Sequence, residues 1–452
     1  MVCPGRAPLA ALVIVGTTLA AAPAHAGSPI TEIEVRGNSK TTDETVIQLA
    51  DIDMGDDWTE ELRARIESDL NTSGLFQEVL VAPEPAPNGT RVVIYAKDKH
   101  SWVIAPTYYD QPTNRGGGVG FGENNLFGQN KKLLLYAQLA TGDSFFVGAY
   151  VDPAINGSRF RWQYDVYLKS ARSFEYSAPT SYVGDTHQVR ESRMHYLNTG
   201  ARVGMRLFRG AAFDLRLRGA RVDYKRIDLV DGVDLAEVTD DPTATAPPPP
   251  GTEGNDISTE GTLTFDTRSS VYGVSRGTRV KLSIERALPG LGSDFDYWLA
   301  TASVDRGIKV FERHNLDLHA RFGWGHDLPF QQEYTAGGTG LRGYKNDQFR
   351  GDLKATFNAE YSLPLFTIKG FGMRGLAFFD SAYVTFRDTD NPARNYLPGA
   401  DVHGLSPLKT SVGLGTRVFL KQVVLPLLGL DVGYGLERKS LEIYLAIGLT
   451  DG

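Results

Sequence analysis

Three residue patterns in this 452-residue sequence have spacings associated with chemistry. Gly273-x-Ser275-x-Gly277 matches a nucleophile elbow, where a serine sits on a strand-to-helix turn beside a histidine and an acid. Here the next segment, Thr278 to Glu285, alternates like a strand, so the pattern reads as a turn. Gly338-x-Gly340-x-x-Gly343 matches a dinucleotide-binding loop. That loop needs a buried strand before it and a helix after it to hold phosphate on the helix N-terminus, and neither is present. The eight histidines are scattered, without an H-E-x-x-H pattern. His314 and His319 are an odd number of residues apart on one strand and so face opposite sides. No catalytic constellation, metal site or cofactor site is expected, and the chain is read as a non-enzyme.

The remaining question is what elements carry these residues. The formal net charge is -7, which argues against nucleic acid as a partner, since such binders carry a basic face. Beyond residue 26 there is no run of 18 apolar residues, so helical membrane spans are excluded. A membrane β-barrel is not, because its strands alternate and look polar on average.

Residues 1–26 read as a secretory leader. Arg6 precedes an apolar stretch from Leu9 to Ala22, and Ala24-His25-Ala26 is a small-x-small cleavage site. The single cysteine, Cys3, lies before the apolar stretch, so neither lipidation at the cleavage point nor a disulfide framework is expected. Residues 27–100 form a small mixed domain. A strand around Ile30, Ile33 and Val35 precedes a helix capped by Thr42. A second helix starts at Thr59 with Leu62, Ile66 and Leu70 on one face, and Gly74 stops it. Strands at Val79–Val81 and Val92–Tyr95 flank a proline-rich turn from Pro83 to Gly89, giving the order β-α-α-β-β.

From Trp102 the period switches to two. Phe160, Trp162, Tyr164, Val166 and Leu168 oppose Arg159, Arg161, Gln163, Asp165 and Lys169, and comparable alternation recurs in Asn315–Gly325 and Leu441–Leu449. The segments are long enough to cross a bilayer at a tilt, and their polar face carries full charges. Sixteen candidate strands fit residues 101–452. The long links at 170–194, 222–258, 327–352 and 385–409 all follow odd-numbered strands. This is the short-inside, long-outside asymmetry of an outer-membrane barrel. The fold expected is therefore a leader, a small α+β domain and an all-β barrel of sixteen antiparallel strands. Four consecutive prolines, Pro247 to Pro250, fall in one long outer link and cannot join a ladder.

The sixth outer link, 327–352, contains Gly337-Gly338-Thr339-Gly340-Leu341-Arg342-Gly343-Tyr344. Leu341 to Tyr344 resembles the (V/L)RG(F/Y) motif of the BamA/TamA-like superfamily of POTRA-bearing outer-membrane barrels. Ile33 to Asn38 and Ser73 to Val79 resemble that family's POTRA patterns. Gly122 to Gly128 is similar to its first inner turn, and Phe265 to Arg268 with Ser275 to Gly277 resembles its DTR…RG segment. The resemblance implies a periplasmic POTRA domain at 27–100 and a barrel in the outer membrane of a Gram-negative-type bacterium. It also implies a sixth loop folded into the lumen, with Gly340, Leu341, Arg342, Gly343 and Tyr344 as the locking motif and Glu360 and Asp380 as acidic partners. Alternation of Ala355, Phe357, Ala359 and Tyr361 turns Glu360 inward. For Asp380 both phases of the strand are apolar or small, and inward is expected because a carboxylate facing lipid is costly.

The resemblance further implies action through the seam between first and last strands. Pro106 in the first strand lacks an N–H, and Gly448 lies near the end of the last, so the seam is expected to be weak. The implied function is assistance in inserting outer-membrane proteins or passing polypeptides. Unfolded clients would be captured at a POTRA strand edge. A dedicated exporter of one client and a passive pore are the alternatives. Relatives of the BamA type usually carry several POTRA domains that bind lipoprotein partners, whereas this chain has room for one. Lipoprotein or other periplasmic partners are therefore left unassigned.

Overall fold

The computed structural model describes residues 28–176, 187–235, 239, 243–271, 274–368, 371–387, 408–420 and 426–447. Residues 1–26, read above as a leader, lie outside them with Cys3, as do much of the link at 385–409, Gly273 and Gly448. The chain divides into two compact units between Lys99 and His100.

In the first unit, β1 (Ser28–Arg36) is followed by α1 (Asp43–Ala50), β2 (Asp57–Trp58), α2 (Glu60–Thr72), β3 (Phe76–Ala86) and β4 (Gly89–Asp98). Thr42 and Thr59 cap the helices by accepting from the backbone N–H of Thr45 and Leu62. The sheet order is β2-β1-β4-β3, with β1 and β4 parallel. The helices close the core by burying Val46, Ile66 and Leu70 against Ile30, Val92 and Ile94. Two details differ from expectation. The short β2 was not anticipated from the sequence. Pro83 and Pro85 lie within β3 rather than in a turn, because β3 is an edge strand and a proline there gives up only a donor that points away from the sheet. The turn itself shrinks to Pro87 and Asn88, with Asn88 at φ +66°.

The second unit is a closed antiparallel barrel of sixteen wall strands. They begin with β5 (Trp102–Gln111), β6 (Asn114–Leu126), β7 (Lys131–Ala140), β8 (Ser144–Asp152), β9 (Phe160–Tyr176), β10 (Gln188–Phe208), β11 (Ala211–Leu229) and β12 (Gly254–Asp266). A short β13 (Ser269–Val271) folds back on the start of β14 (Val274–Ala287). The wall continues through β15 (Trp298–Lys309) and β16 (Asn315–His326). Inside the next link, β17 (Tyr334–Ala336) and β18 (Phe349–Gly351) form a separate ribbon. The wall then closes through β19 (Leu353–Ile368), β20 (Phe371–Thr385), β21 (Lys409–Leu420), β22 (Pro426–Gly435) and β23 (Ser440–Ile447), which pairs with β5.

Burial is inverted relative to a soluble protein. Leu215, Leu217, Ile284, Phe322, Leu414 and Ile443 are exposed on the outside, while Asp214, Arg218, Asp256 and Asp380 are buried inside. Such a wall is stable only with hydrocarbon around it. Inward charges pair over the intervening strand: Arg161 and Asp165 of β9 meet Asp214 and Arg216 of β11 across β10, each pair at 2.5 Å. The rim where the chain enters at Trp102 is here called the near rim. β9, β10 and β11 run well past the apolar belt at the opposite, far rim, so the far-rim links shorten to 177–187 and 230–253. Ser275 and Gly277 lie on β14, whose neighbour across the lumenal rim is a strand and not a helix.

Candidate functional site

The far-rim link between β16 and β19 turns into the barrel. A 3-10 turn at Phe330–Gln332 and the β17–β18 ribbon draw its two stems together, and the tip between them descends along the inner wall. Leu341, Tyr344 and Phe349 pack with Ala336, Ala382 and Val384, so this part of the lumen is an apolar core and not water.

Arg342 is at the bottom of the tip and only 4% exposed. Its Nε and Nη2 donate to the two oxygens of Asp380 at 2.8 and 2.7 Å, a bidentate pair. Nη1 donates to Glu360 at 2.5 Å and to Asp431 at 3.2 Å, and the backbone N–H of Arg342 reaches Asp380 at 3.2 Å. The guanidinium lies 3.4 Å from the ring centre of Phe378, a cation-π contact inside the barrel. Arg417 makes a second bidentate pair with Asp431, at 2.5 and 2.8 Å. Asn358 ties the network to the backbone, donating to Asp380 at 2.9 Å and to the carbonyl of Gly340 at 3.1 Å. Two guanidiniums thus share three carboxylates from β19, β20 and β22. Buried charges are tolerable only with such dense pairing.

Glycine sets how near the tip can come. Gly343 has φ +96°, and a Cβ there would strike the backbone of Tyr434 and Gly435 on β22. From the wall side, a Cβ on Gly433 would sit 2.8 Å from the backbone of Arg342. The motif glycine and the β22 glycines are two halves of one close approach.

The tip also touches both strands of the seam. On β23, the Tyr444 hydroxyl accepts from the Gly343 N–H at 3.0 Å and donates to the Tyr344 carbonyl at 2.9 Å, and Ser440 donates to the Gly343 carbonyl at 2.8 Å. On β5, Gln111 accepts from Asn346 at 3.2 Å. Above, Tyr344 donates to Glu437 in the β22–β23 turn. Below the tip is a cavity of about 340 Å³ lined by Asp317, His319, Arg321, Asp431, Leu445 and Ala446.

The geometry settles where the expected residues stand. Gly340 to Tyr344 form the tip, and Glu360 and Asp380 both meet Arg342. Pro106 is elsewhere, on β5 opposite Val119 of β6, and Gly448 lies outside the described residues. Asp431, Arg417, Tyr444 and Phe378 were not anticipated. For Asp431 the signal was available, since Leu430 and Val432 flank it in strict alternation and turn it inward.

Comparison with known proteins decides the family. The Omp85 superfamily domain matches residues 125–437. The chain belongs to the Omp85 superfamily. It is an outer-membrane β-barrel protein. It is 24% identical over 420 residues to the outer membrane protein assembly factor BamA of Nitratidesulfovibrio vulgaris. That match spans 86% of this chain and 46% of the relative, so the chain covers about half of that protein's length. Among solved structures, BamA from Haemophilus ducreyi lacking POTRA domains 1–3 superimposes with a TM-score of 0.63 at 14% identity, covering 93% of this chain and 84% of that one. CdiB from Escherichia coli superimposes equally well, with a TM-score of 0.63 at 13% identity, covering 94% and 77%. This Omp85 barrel thus shares its fold with both.

Proposed function

We infer that this Omp85 protein assists the insertion of outer-membrane proteins or the passage of polypeptides, by opening the β23–β5 seam to a client strand. The observation that carries this reading is that β23 runs past its partner at the far rim: β5 ends at Gln111, and Ser440 to Tyr444 of β23 have no described ladder partner on it. The seam's described pairing consists of Leu445–Asp110, Ala446–Tyr109 and Ile447–Tyr108. On either side, β22–β23 pairs from Leu428–Ile447 to Gly435–Ser440, and β5–β6 from Trp102–Glu123 to Gln111–Asn114. A strand freed at this point would offer unpaired N–H and C=O groups, which lipid cannot satisfy and an incoming strand can.

The loop tip is the natural control. Its contacts to Tyr444 and Gln111 hold the two seam strands from inside, and the Arg342 network holds the tip. In the first unit, β2 covers β1 only at Ser28 and Pro29, which leaves the edge from Thr31 to Arg36 open to an extended client. That unit is read as a POTRA domain facing the periplasm. Filling of the lumen by the loop weighs against a passive pore.

The test is a Tyr109→Cys/Ala446→Cys pair in the full chain, reconstituted in liposomes and challenged with a urea-unfolded barrel protein. Oxidation should abolish accelerated folding of the client, and reductant should restore it. Full acceleration by the oxidised, crosslinked protein would sink the seam mechanism. Export of one dedicated client would appear instead as passage of that client without any effect on other barrels.

A further inference from the structure

The outer face of β9, β10 and β11 changes character abruptly toward the far rim. Its lipid-facing side is apolar from Phe160 to Leu168 on β9, along Leu197 to Leu207 on β10, and from Phe213 to Leu217 on β11. On β9 and β10 this is the span a tilted strand needs to cross hydrocarbon. The next outward-facing positions are Ser170 and Arg172 on β9, His195 and Arg193 on β10, and Gly219, Arg221, Asp223 and Lys225 on β11. In the register, Arg193 stands directly opposite Arg172 on one side and Lys225 on the other. Three cations side by side across three strands repel one another and cost stability unless something answers them.

The protein answers only part of this charge. Glu191 pairs with Arg172 at 2.7 Å, and Asp223 with Arg221 at 3.0 Å. Arg193 reaches only the Ser170 hydroxyl and the Thr141 carbonyl, each at 3.4 Å. No described carboxylate forms an ion pair with Arg193 or Lys225. Other described strands reach the same level with neutral aromatic side chains, as at Trp298, Trp324 and Tyr434, or with a charge already paired, as at Arg286 with Asp296. The basic group is therefore local to three strands and lies at headgroup depth.

We propose that this patch is a binding site for the phosphate groups of an anionic lipid. Arg193 and Lys225 grip the phosphate, and the acyl chains lie on Leu168, Leu197 and Leu217. A guanidinium offers phosphate two parallel donors, and the ammonium adds a point charge. Ser170 and His195 supply further polar groups at the same depth.

The full chain is placed in phosphatidylcholine nanodiscs containing a trace of spin-labelled phosphatidic acid. The immobilised fraction of label, relative to spin-labelled phosphatidylcholine, gives the selectivity. An R193Q/K225Q double variant should lose selectivity about tenfold or more, given the usual attraction of each basic side chain near a charged membrane surface. K225Q alone, a milder change, should lose roughly a third to a half of that effect on the logarithmic scale. R286Q, which alters a far-rim arginine already paired with Asp296, should lose none. All variants are checked for the folded, heat-modifiable form. Unchanged selectivity in the folded K225Q and double variants would overturn the proposal, as would an equal loss in R286Q. Selectivity that survives excess inorganic phosphate supports a lipid site. Its abolition by inorganic phosphate at matched concentration would show a free-anion site and overturn the lipid assignment.

Discussion

The β9–β10 junction and the β23–β5 seam are made of the same material and held in opposite ways. β9 and β10 pair from Gln188–Tyr176 to Met205–Phe160, and the backbone ladder does the work. The ion pair across it is supplementary: Arg172 on β9 and Glu191 on β10 keep 35% and 31% of their side chains exposed. At the seam Ser440 to Tyr444 of β23 run past the end of β5 without a described ladder partner on it, and the strands are held from inside by a loop that hangs on one buried arginine. A ladder opens only by losing many bonds together. A clamp opens when one loop lets go. On the function proposed above, a clamp where β23 outruns β5 makes that junction the part of the wall that can be switched.

Matched truncations sharpen this contrast most strongly. Arg342→Ala strands the buried Asp380 and leaves Glu360 without its cation, while Asp431 keeps Arg417. Removing one partner of a buried pair typically costs about 3–5 kcal/mol. Heating the purified barrel in detergent and following its heat-modifiable mobility should show a large fall in unfolding temperature. Arg172→Ala, in a partly exposed pair within a full ladder, should cost only about 0–1 kcal/mol. Equal effects from the two would mean that the loop does not reinforce the seam. Arg342→Lys should fall between the extremes, because an ammonium keeps the charge but not the fork to Asp380.

How much of this was legible beforehand depends on what lies across the lumen. Alternation assigns a residue to a face but says nothing of what it meets there. Glu360 was placed inward by Phe357, Ala359 and Tyr361. Asp380 resisted the same logic because Leu376, Phe378 and Ala382 share its inward face. They are apolar because that face of β20 packs against the loop, so the expected wet side is locally dry. The order of strands and the parity of long links followed from periodicity, but strand ends at the far rim did not. β9 to β11 continue beyond the membrane, where neither face must be apolar. Arg417 stayed hidden because its value lies in a partner on the next strand.

The second way to break the comparison leaves every charge in place. Gly433→Val adds bulk where the Arg342 backbone passes, so the tip must move or the wall must bend, at about 1–3 kcal/mol. The barrel should still fold, with a lower unfolding temperature and faster protease cleavage within 337–348. Cleavage as slow as in the unmodified protein would mean that the close approach does not hold the tip.

Strengthening the seam is a gentler test. A proline is tolerated where its missing N–H faces away from a ladder, which on β5 is the seam side. Pro106→Ala restores one donor, worth about 0.5–1.5 kcal/mol if it is paired. Client insertion should slow while barrel stability rises slightly. Faster insertion would contradict a seam that works by opening.

The smallest effect belongs to the upper anchor of the clamp, which titrates. Glu437 lies in the turn between β22 and β23, outside the wall strands. Partial burial opposes its charge, but the Thr410 hydroxyl and N–H and the Tyr344 hydroxyl all donate to it and win, holding its carboxyl below the usual range. A carboxylate whose folded pKa is depressed adds stability that is fully present above its unfolded pKa, about 4.3, and is lost as pH falls through the lower folded value. The clamp should therefore be insensitive to pH from neutrality down to about 5 and then loosen at its outer end. Glu437→Gln should flatten that acid limb slightly in protease-cleavage rates within 337–348, and Tyr344→Phe should mimic it in part. Because the carboxylate is partly solvated, the change should be far smaller than that of Arg342→Ala. A larger loss from Glu437→Gln would move the main hold on the loop from Arg342 to the rim, and the seam would then answer to external pH before it answered to the lumen.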